Sequence, residues 1–416
     1  MAVVGAGVAG LTAAYILRRD FDVTLFESEP RLGGHAHTHR VPTKSGAELA
    51  VDSGFIVHND RTYPLLRRLF SELGVTVRPT EMSMSIRCEG CGLEYAGGRG
   101  LNGVLAQRRR LADTRFIGML REVRRFHKAA SRALSATSED DLTTYGEFLR
   151  SERFGEYFIN HYALPVVSCV WSSGQEAVLR YPARYLFAFL DNHGMLEIKG
   201  SPRWYTVSGG SQSYVERIAA SLPAVRTATP ISSVTRSASG VQLCDSTTRV
   251  HHADRVVIAT HADQALELLA DATADEQAVL SSFGYSSNRT VLHTDGSLLP
   301  SARHARASWN YRISSCTERS DLTLVSYWMN RLQGHVGDGD YIVTLNEGGR
   351  VDPSLVLAEM RYDHPLYTPE AVAAQRRLPA LNTNVTAFAG AYHGWGFHED
   401  GCRSGVEAAR SLGVSW

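Results

Sequence analysis

The chain opens Met1-Ala2-Val3-Val4-Gly5-Ala6-Gly7-Val8-Ala9-Gly10 and continues through small and apolar residues from Leu11 to Arg18. This order reads as strand, glycine turn, helix. In a dinucleotide-binding unit the first glycine allows a tight turn, the second lets a pyrophosphate approach the backbone, and the third lets helix and strand pack closely. The helix start then faces the phosphates with unpaired N–H groups. A second strand, Asp22 to Phe26, ends at Glu27. That places an acid at the spacing of about 20 residues expected of a carboxylate that accepts from a ribose hydroxyl and disfavours a 2′-phosphate. The first strand is short, so the expected start lies a few residues further upstream.

Composition sets the outer limits. Of 416 residues, 43 are Lys or Arg and 43 Asp or Glu, and 44% are hydrophobic, which excludes an acidic or basic tail protein. No nucleic-acid partner is expected. The length suits two or three domains, each able to bury a core. No stretch reaches the roughly 18 uninterrupted apolar residues of a membrane span. With the glycine turn beginning at Gly5, no room is expected for a signal peptide, and the expectation is a cytoplasmic protein, peripheral to a membrane at most. Six scattered cysteines form no disulfide framework. Lys44, Lys128 and Lys199 are the only lysines, so none exists in the second half of the chain.

After Glu27 follow Ser28, Glu29, Pro30, Arg31, Leu32, Gly33, Gly34 and His35. An Arg-x-Gly-Gly behind the ribose acid resembles the extended fingerprint of two-dinucleotide-fold flavoproteins, which favours FAD over NAD. The C-terminus is similar to the closing segment of the same proteins: Phe388-Ala389-Gly390-Ala391-Tyr392, then Gly394-Trp395-Gly396-Phe397-His398-Glu399-Asp400-Gly401 and a helix through Leu412. In them a glycine turn delivers a helix N-terminus to the flavin ring, where it would stabilise the negative charge of reduced flavin by roughly 0.3–1 kcal/mol. Together these segments resemble the amine oxidase and phytoene desaturase superfamily of FAD-dependent oxidoreductases. Five further phrases resemble a narrower bacterial family, itself similar to the N-terminal region of plant cyclopropane fatty acid synthases: Val51 to Asn59, Asp191 to Gly194, Tyr327 to Gln333, Arg361 to Pro365 and Gly396 to Gly401.

The resemblance implies an α/β fold: a Rossmann-like two-dinucleotide FAD domain assembled from separated segments, plus an α+β substrate domain of amine-oxidase type. The FAD domain is expected at 1–73, 208–270 and 386–416, and the substrate domain at 74–207 and 271–385. The implied FAD contacts are Gly5, Gly7, Gly10, Glu27, Ser28, Arg31, Gly33, Gly34, His35, Gly54, Phe55, Ile56, Ile231, Thr260, Gly390, Gly396, Phe397 and His398.

Four other patterns stand out in the residues. Arg108, Arg109, Arg110, Arg115, Arg121, Arg124, Arg125, Lys128 and Arg132 make 101–135 strongly basic, while Phe116, Leu120 and Val123 give it an apolar stripe. It reads either as a solvated helix packed on the core or as a surface for anionic lipid or an acyl carrier. His35, His37 and His39 would share one face of an extended segment, and Cys88-Glu89-Gly90-Cys91 has C-x-x-C spacing without a second pair. The first is expected to line the cofactor and the second to be a hairpin turn between Met82–Arg87 and Leu93–Tyr95, with no metal at either. Val170-Trp171-Ser172, Asn192-His193-Gly194, Ser308 to Tyr311 and Tyr327 to Gln333 are expected to line an apolar cavity with a few placed polar groups.

Amine oxidases of the superfamily keep a lysine near flavin N5, on a strand expected here from Asn288. The resemblance puts Arg289 in its place, where an arginine could orient a substrate but could not exchange the proton. The leading expectation is therefore hydride abstraction from an unsaturated or modified acyl chain, giving desaturation or double-bond isomerisation. The alternatives are an amine oxidase, or a non-catalytic FAD-binding partner of a lipid-modifying methyltransferase. His398 and Glu399, with Tyr392 third, are the expected acid or base, although Glu399 and Asp400 also suit helix capping.

Overall fold

In the computed structural model the described residues are 1–416 except 44–45, 198–199, 238–239, 318 and 338, so Lys44 and Lys199 lie outside them. A parallel five-stranded sheet forms the base. Its order is Ala224–Arg226, Thr24–Phe26, Ala2–Val4, Val256–Ile258, Thr386–Phe388. Val3 pairs with both Leu25 and Val257, and Val257 with Ala387. Alternation along these strands divides two apolar layers. Val3, Leu25, Val257 and Ala387 face a helical layer that includes Val8–Leu17, Pro64–Glu72, Gln212–Ala220 and His398–Ser411. Ala2, Val4, Phe26, Ile258 and Phe388 face the antiparallel sheet Ile231–Ser237, Gly240–Asp245, Val250–Ala253 and the helix Ala262–Leu268.

A mixed seven-stranded sheet builds the second lobe, in the order Val356–Leu366, Gly284–His293, Ile342–Leu345, Val325–Trp328, Trp309–Ile313, Met84–Cys88, Glu94–Gly97. Helices between Thr114 and Asn192 cover it with an aromatic core in which Phe126 touches Tyr145, Phe148, Phe154, Phe158, Tyr162 and Phe187. The mixed α/β architecture with an FAD-type sheet and a helical, sheet-based second lobe is the one expected.

The basic segment is not one helix. It breaks into Gly100–Val104, Arg108–Ala112 and Thr114–Ala136, the last begun by Asp113, whose carboxylate accepts from the Arg115 N–H at 3.0 Å. Among the described residues no helix is long and apolar enough to cross a membrane.

Candidate FAD and substrate site

The carboxyl ends of Ala2–Val4, Thr24–Phe26, Val256–Ile258 and Thr386–Phe388 open on one crevice, where parallel α/β sheets bind ligands. Gly5 turns there at φ +100°, a conformation that side chains avoid, and a Cβ would lie 2.7 Å from the Ala259 carbonyl oxygen. At Gly10 a Cβ would fall 1.9 Å from the Gly5 carbonyl oxygen, so helix and turn touch backbone to backbone. Gly7 differs: a Cβ there meets nothing within 4 Å. It begins the Val8–Leu17 helix with no side-chain cap, leaving the first N–H groups directed at open space.

Glu27 ends the second strand. One oxygen accepts from the Ala6 N–H at 2.7 Å, the other from the Ser28 hydroxyl at 3.0 Å and the Glu29 N–H at 2.9 Å. A carboxylate has about four acceptor positions, so Glu27 retains capacity for a ribose hydroxyl. The Arg-x-Gly-Gly segment folds over the turn: Gly33 donates to the Ala6 carbonyl, and Gly34 packs on Gly7. Arg31 donates to the Gly34 carbonyl at 2.8 Å. His35 receives Phe55 N–H on its own carbonyl, which brings Gly54, Phe55 and Ile56 to the same place. Thr260 follows the Val256–Ile258 strand, and Ile231 follows Thr229, whose N–H bonds the Glu27 carbonyl.

The C-terminal helix supplies the other end. Gly401 packs on Val8, and Gly405 on Ala9 and Thr12, so His398–Ser411 runs parallel to Val8–Leu17 and both begin at the crevice. Two positively polarised helix starts side by side repel unless an anion lies between them. This pairing, the open space before Gly7 and the free capacity of Glu27 fit the pyrophosphate, ribose and anionic ring of FAD.

Side chains around the helix start are occupied structurally. Glu399 accepts from the Leu65 and Leu66 N–H groups at 3.0 and 2.9 Å, capping the Pro64–Glu72 helix, and burial raises its pKa to about 7. Asp400 accepts from the Phe397 N–H at 3.0 Å. The His398 ring stacks on Phe55 at 3.7 Å and bonds the Tyr214 hydroxyl at 3.0 Å. Burial lowers its pKa to about 3, so it stays neutral and is a poor proton carrier near pH 7. Tyr392 sits in the apolar layer against Phe283. Backbone capping engages Glu399 and Asp400, and stacking and the Tyr214 bond engage His398, while the Tyr392 hydroxyl is buried without a partner.

Arg289 also departs from its expected place. It lies on Gly284–His293, but its side chain is 44% exposed and ion-paired with Glu347 and Glu359. Alternation turns Asn288 and Thr290 inward instead. Asn288 contacts His364 Nδ1 at 3.0 Å, and the His364 ring lies 5.3 Å from that of His35. Tyr362 stands beside them, 4.9 Å from His35 ring to ring, with its hydroxyl on His37 at 3.0 Å and Ser53 at 2.7 Å. His39 bonds Ser53 in turn at 2.8 Å. Asn288, Tyr362 and His364 are thus second-lobe groups that meet the His35–His39 arm; the Arg361–Pro365 phrase contained two of them, but their inward direction follows from the strand register.

Asp52 lies in the Val51–Asn59 phrase, and the sequence assigns it no role. Fully buried, it receives Thr38 Oγ1 at 2.6 Å, Ser211 N–H at 2.9 Å and Gln333 Nε2 at 2.9 Å. It joins the Gly33–Gly34 arm to the start of Gln212–Ala220, and a lone acid in the apolar Leu49–Val51 run was its signal. Of the aromatic phrases, Trp171 and His193 reach the Gly394–Phe397 loop. Trp171 Nε1 bonds the Trp395 carbonyl at 3.1 Å, His193 stacks on Phe189 at 3.9 Å, and Phe189 stacks on Phe397 at 4.7 Å. Asn310 and Asn330 bond strand and loop backbone instead, so they shape the sheet rather than a cavity. Trp395 Nε1 and Tyr367 hydroxyl are buried without partners. Such groups cost about 1–3 kcal/mol each until something bonds them.

The model of the family described as "Flavin containing amine oxidoreductase" matches residues 8–345. The chain belongs to this family. Its cofactor is FAD, in keeping with the cradle above. The chain shares 29% identity over 231 residues with a curated protein of Mycobacterium tuberculosis strain H37Rv, "Putative flavin-containing monoamine oxidase AofH". That match covers 53% of the chain and 48% of the relative, so the chain spans about half the length of the curated relative. Among solved structures, a CLA-producing fatty acid isomerase from P. acnes is similar at TM-score 0.70 and 17% identity, covering 99% of this chain and 98% of that one. Cyclohexylamine oxidase from Brevibacterium oxydans IH-35A matches equally, at TM-score 0.70, 15% identity and the same coverage. The fold is therefore shared by amine-directed and acyl-directed enzymes alike.

Proposed function

We propose that the protein is an FAD-dependent oxidoreductase that removes hydride from a carbon next to an amine nitrogen. The match to the amine oxidoreductase family over residues 8–345 carries this reading. Bound FAD would supply the two-electron acceptor. The chain's part is to hold the cofactor by the Gly5–Gly10 turn, Glu27 and the two helix starts, and to keep water from the reacting bond. Trp171, Phe189, Trp395 and Phe397 make that dry wall. Burial holds His364 at a pKa of about 4, so this imidazole beside Asn288 is uncharged at pH 7 and accepts a neutral amine more readily than its cation.

A second reading, oxidation or isomerisation of an unsaturated acyl chain, is favoured by one observation. No lysine stands on the inward face of Gly284–His293, where Asn288 and Thr290 lie, and the only described lysine, Lys128, is exposed on Thr114–Ala136. Anaerobic titration of the holoprotein separates the two. Bleaching of the oxidised-flavin absorbance by primary or secondary amines is expected. Bleaching, or a shifted double bond, with unsaturated fatty acids alone would replace the amine reading by the acyl one.

The basic segment bears on where a substrate is met. Leu101 is 78% and Leu111 55% exposed, flanking exposed Arg108 and Arg109. Arg110 bonds Asp113 and the Cys91 carbonyl, Arg115 pairs with Asp113, and Arg125 with Glu122, so these three are structural. The free arginines and leucines suit an anionic lipid surface at about 1 kcal/mol per basic residue. Arg108→Glu with Arg109→Glu should weaken sedimentation with phosphatidylglycerol vesicles by roughly tenfold or more. Unchanged binding would show that the segment is only a solvated face.

A further inference from the structure

The Cys88-Glu89-Gly90-Cys91 turn does join two hairpin strands, Met84–Cys88 and Glu94–Gly97. The fold adds two partners that spacing could not reveal. Cys316 arrives from the loop after Trp309–Ile313, the parallel neighbour of Met84–Cys88. His161 arrives from a π-helical turn, Ile159–Ala163, between helices of the covering lobe. The three sulfurs and one imidazole nitrogen all lie within 4.8 Å of one another. Cys88 Sγ is 3.6 Å from Cys316 Sγ, and Cys91 Sγ is 3.7 Å from His161 Nε2. A tetrahedral zinc ion, with bonds of about 2.3 Å to sulfur and 2.0 Å to nitrogen, requires ligand separations of about 3.5–3.8 Å.

The surroundings are those of a ligand set as well. His161 Nδ1 lies 2.9 Å from the Tyr157 carbonyl oxygen, to which it can only donate, so the proton sits on Nδ1 and the Nε2 lone pair faces the sulfurs. The Tyr157 hydroxyl lies 3.7 Å from Cys91 Sγ, an outer donor for a thiolate. Asn160 Nδ2 bonds the Cys316 carbonyl at 3.0 Å, and Arg110 bonds that of Cys91, fixing two of the ligand loops. Gly90 lets them approach: a Cβ there would stand 3.0 Å from Cys316 N and 3.3 Å from its sulfur. A π-turn places His161 where regular helix would not, as such turns often do at ligand sites.

We propose that Cys88, Cys91, His161 and Cys316 form a structural zinc site that fastens the hairpin, the seven-stranded sheet and the helical lobe together. Four protein ligands leave no open position, which distinguishes it from a catalytic zinc. The three thiols lose their protons on binding and no redox step is involved. Three thiolates and a neutral imidazole around Zn²⁺ leave one negative charge, which the Arg110 and Arg115 guanidiniums offset from the adjoining turn.

The test is metal analysis of the FAD holoprotein, prepared without a polyhistidine tag. One zinc per chain is expected, released when a mercurial titrates the cysteines and counted with a chromogenic zinc indicator. Growth with cobalt should give thiolate–cobalt ligand-field bands at red wavelengths, beyond flavin absorption. Cys316→Ser and His161→Ala should cut zinc occupancy at least tenfold, whereas Cys169→Ser, at an isolated buried cysteine, should leave it unchanged. The unmodified chain decides the matter even if variants misfold. No zinc as purified and none taken up by the reduced protein would overturn the proposal. So would iron in its place, or a mass two hydrogens light that maps to a Cys88–Cys316 disulfide.

Discussion

Gly7→Ala is expected to leave the apoprotein as stable as the parent while weakening FAD binding by about tenfold or more, some 1.4 kcal/mol. The added methyl meets no protein atom within 4 Å, and Gly7 already has φ −71°, so the fold has no reason to object. The space it enters is the approach to the unpaired N–H groups of Val8–Leu17, which a pyrophosphate must reach closely. Gly10→Ala should behave differently. Its methyl would lie 1.9 Å from the Gly5 oxygen and 3.1 Å from the Ala259 Cβ, prying the helix off the strand. Stability should fall by several kcal/mol, with flavin lost as a consequence. Thermal melts of apoprotein and flavin titrations, run on both variants, separate the effects. Full flavin affinity in Gly7→Ala would mean that the crevice does not hold a pyrophosphate at that turn.

The contrast also shows what was legible in the sequence. Gly5, Gly10, Glu27 and Gly33-Gly34 answer to demands made within one turn or one βαβ unit, and such demands leave a pattern in consecutive residues. Side-chain direction does not. Arg289 pairs with Glu347 and Glu359 outside, not inward where the resemblance places it; a strand's faces alternate, and no local residue fixes the register that decides between them. His398 looked like a proton carrier because its pKa in water is suitable. Burial keeps it neutral, in a site closed by Phe55 and by Tyr214, the latter 184 residues away. The cysteine turn looks in sequence like a lone C-x-x-C because its remaining partners come from 228 residues beyond Cys88 and 70 beyond Cys91. Binding patterns made of backbone were readable, and those assembled from side chains of distant segments were not.

The same burial of imidazoles predicts a protein that fails in mild acid. Twelve of the sixteen histidines have pKa values pushed down, chiefly by desolvation. Four of them, His58, His193, His293 and His398, are nearly inaccessible and lie at about 4, 4, 4 and 3. Their bonds explain why a proton is unwelcome. His293 Nδ1 accepts from the Asp295 N–H at 3.1 Å, and protonation would set two donors against each other. An unfolded histidine titrates near 6.5, so below that pH the unfolded chain binds protons that the folded one refuses, and stability falls as pH falls. At pH 5.5 each of the four loses about 1.4 kcal/mol, together on the order of 5 kcal/mol. Asp52, Glu399 and Asp400 act in the opposite sense. Their folded pKa values are raised to about 6, 7 and 6, so they gain stability as pH falls toward 4. Twelve imidazoles against three carboxylates decide the sign between pH 6.5 and 5. The melting temperature should therefore drop by several degrees from pH 7.5 to 5.5, with flavin fluorescence rising as the cofactor leaves. A melting temperature that holds or rises over that interval would mean that these histidines take up protons in the folded state, and that the crevice is wetter than its packing implies.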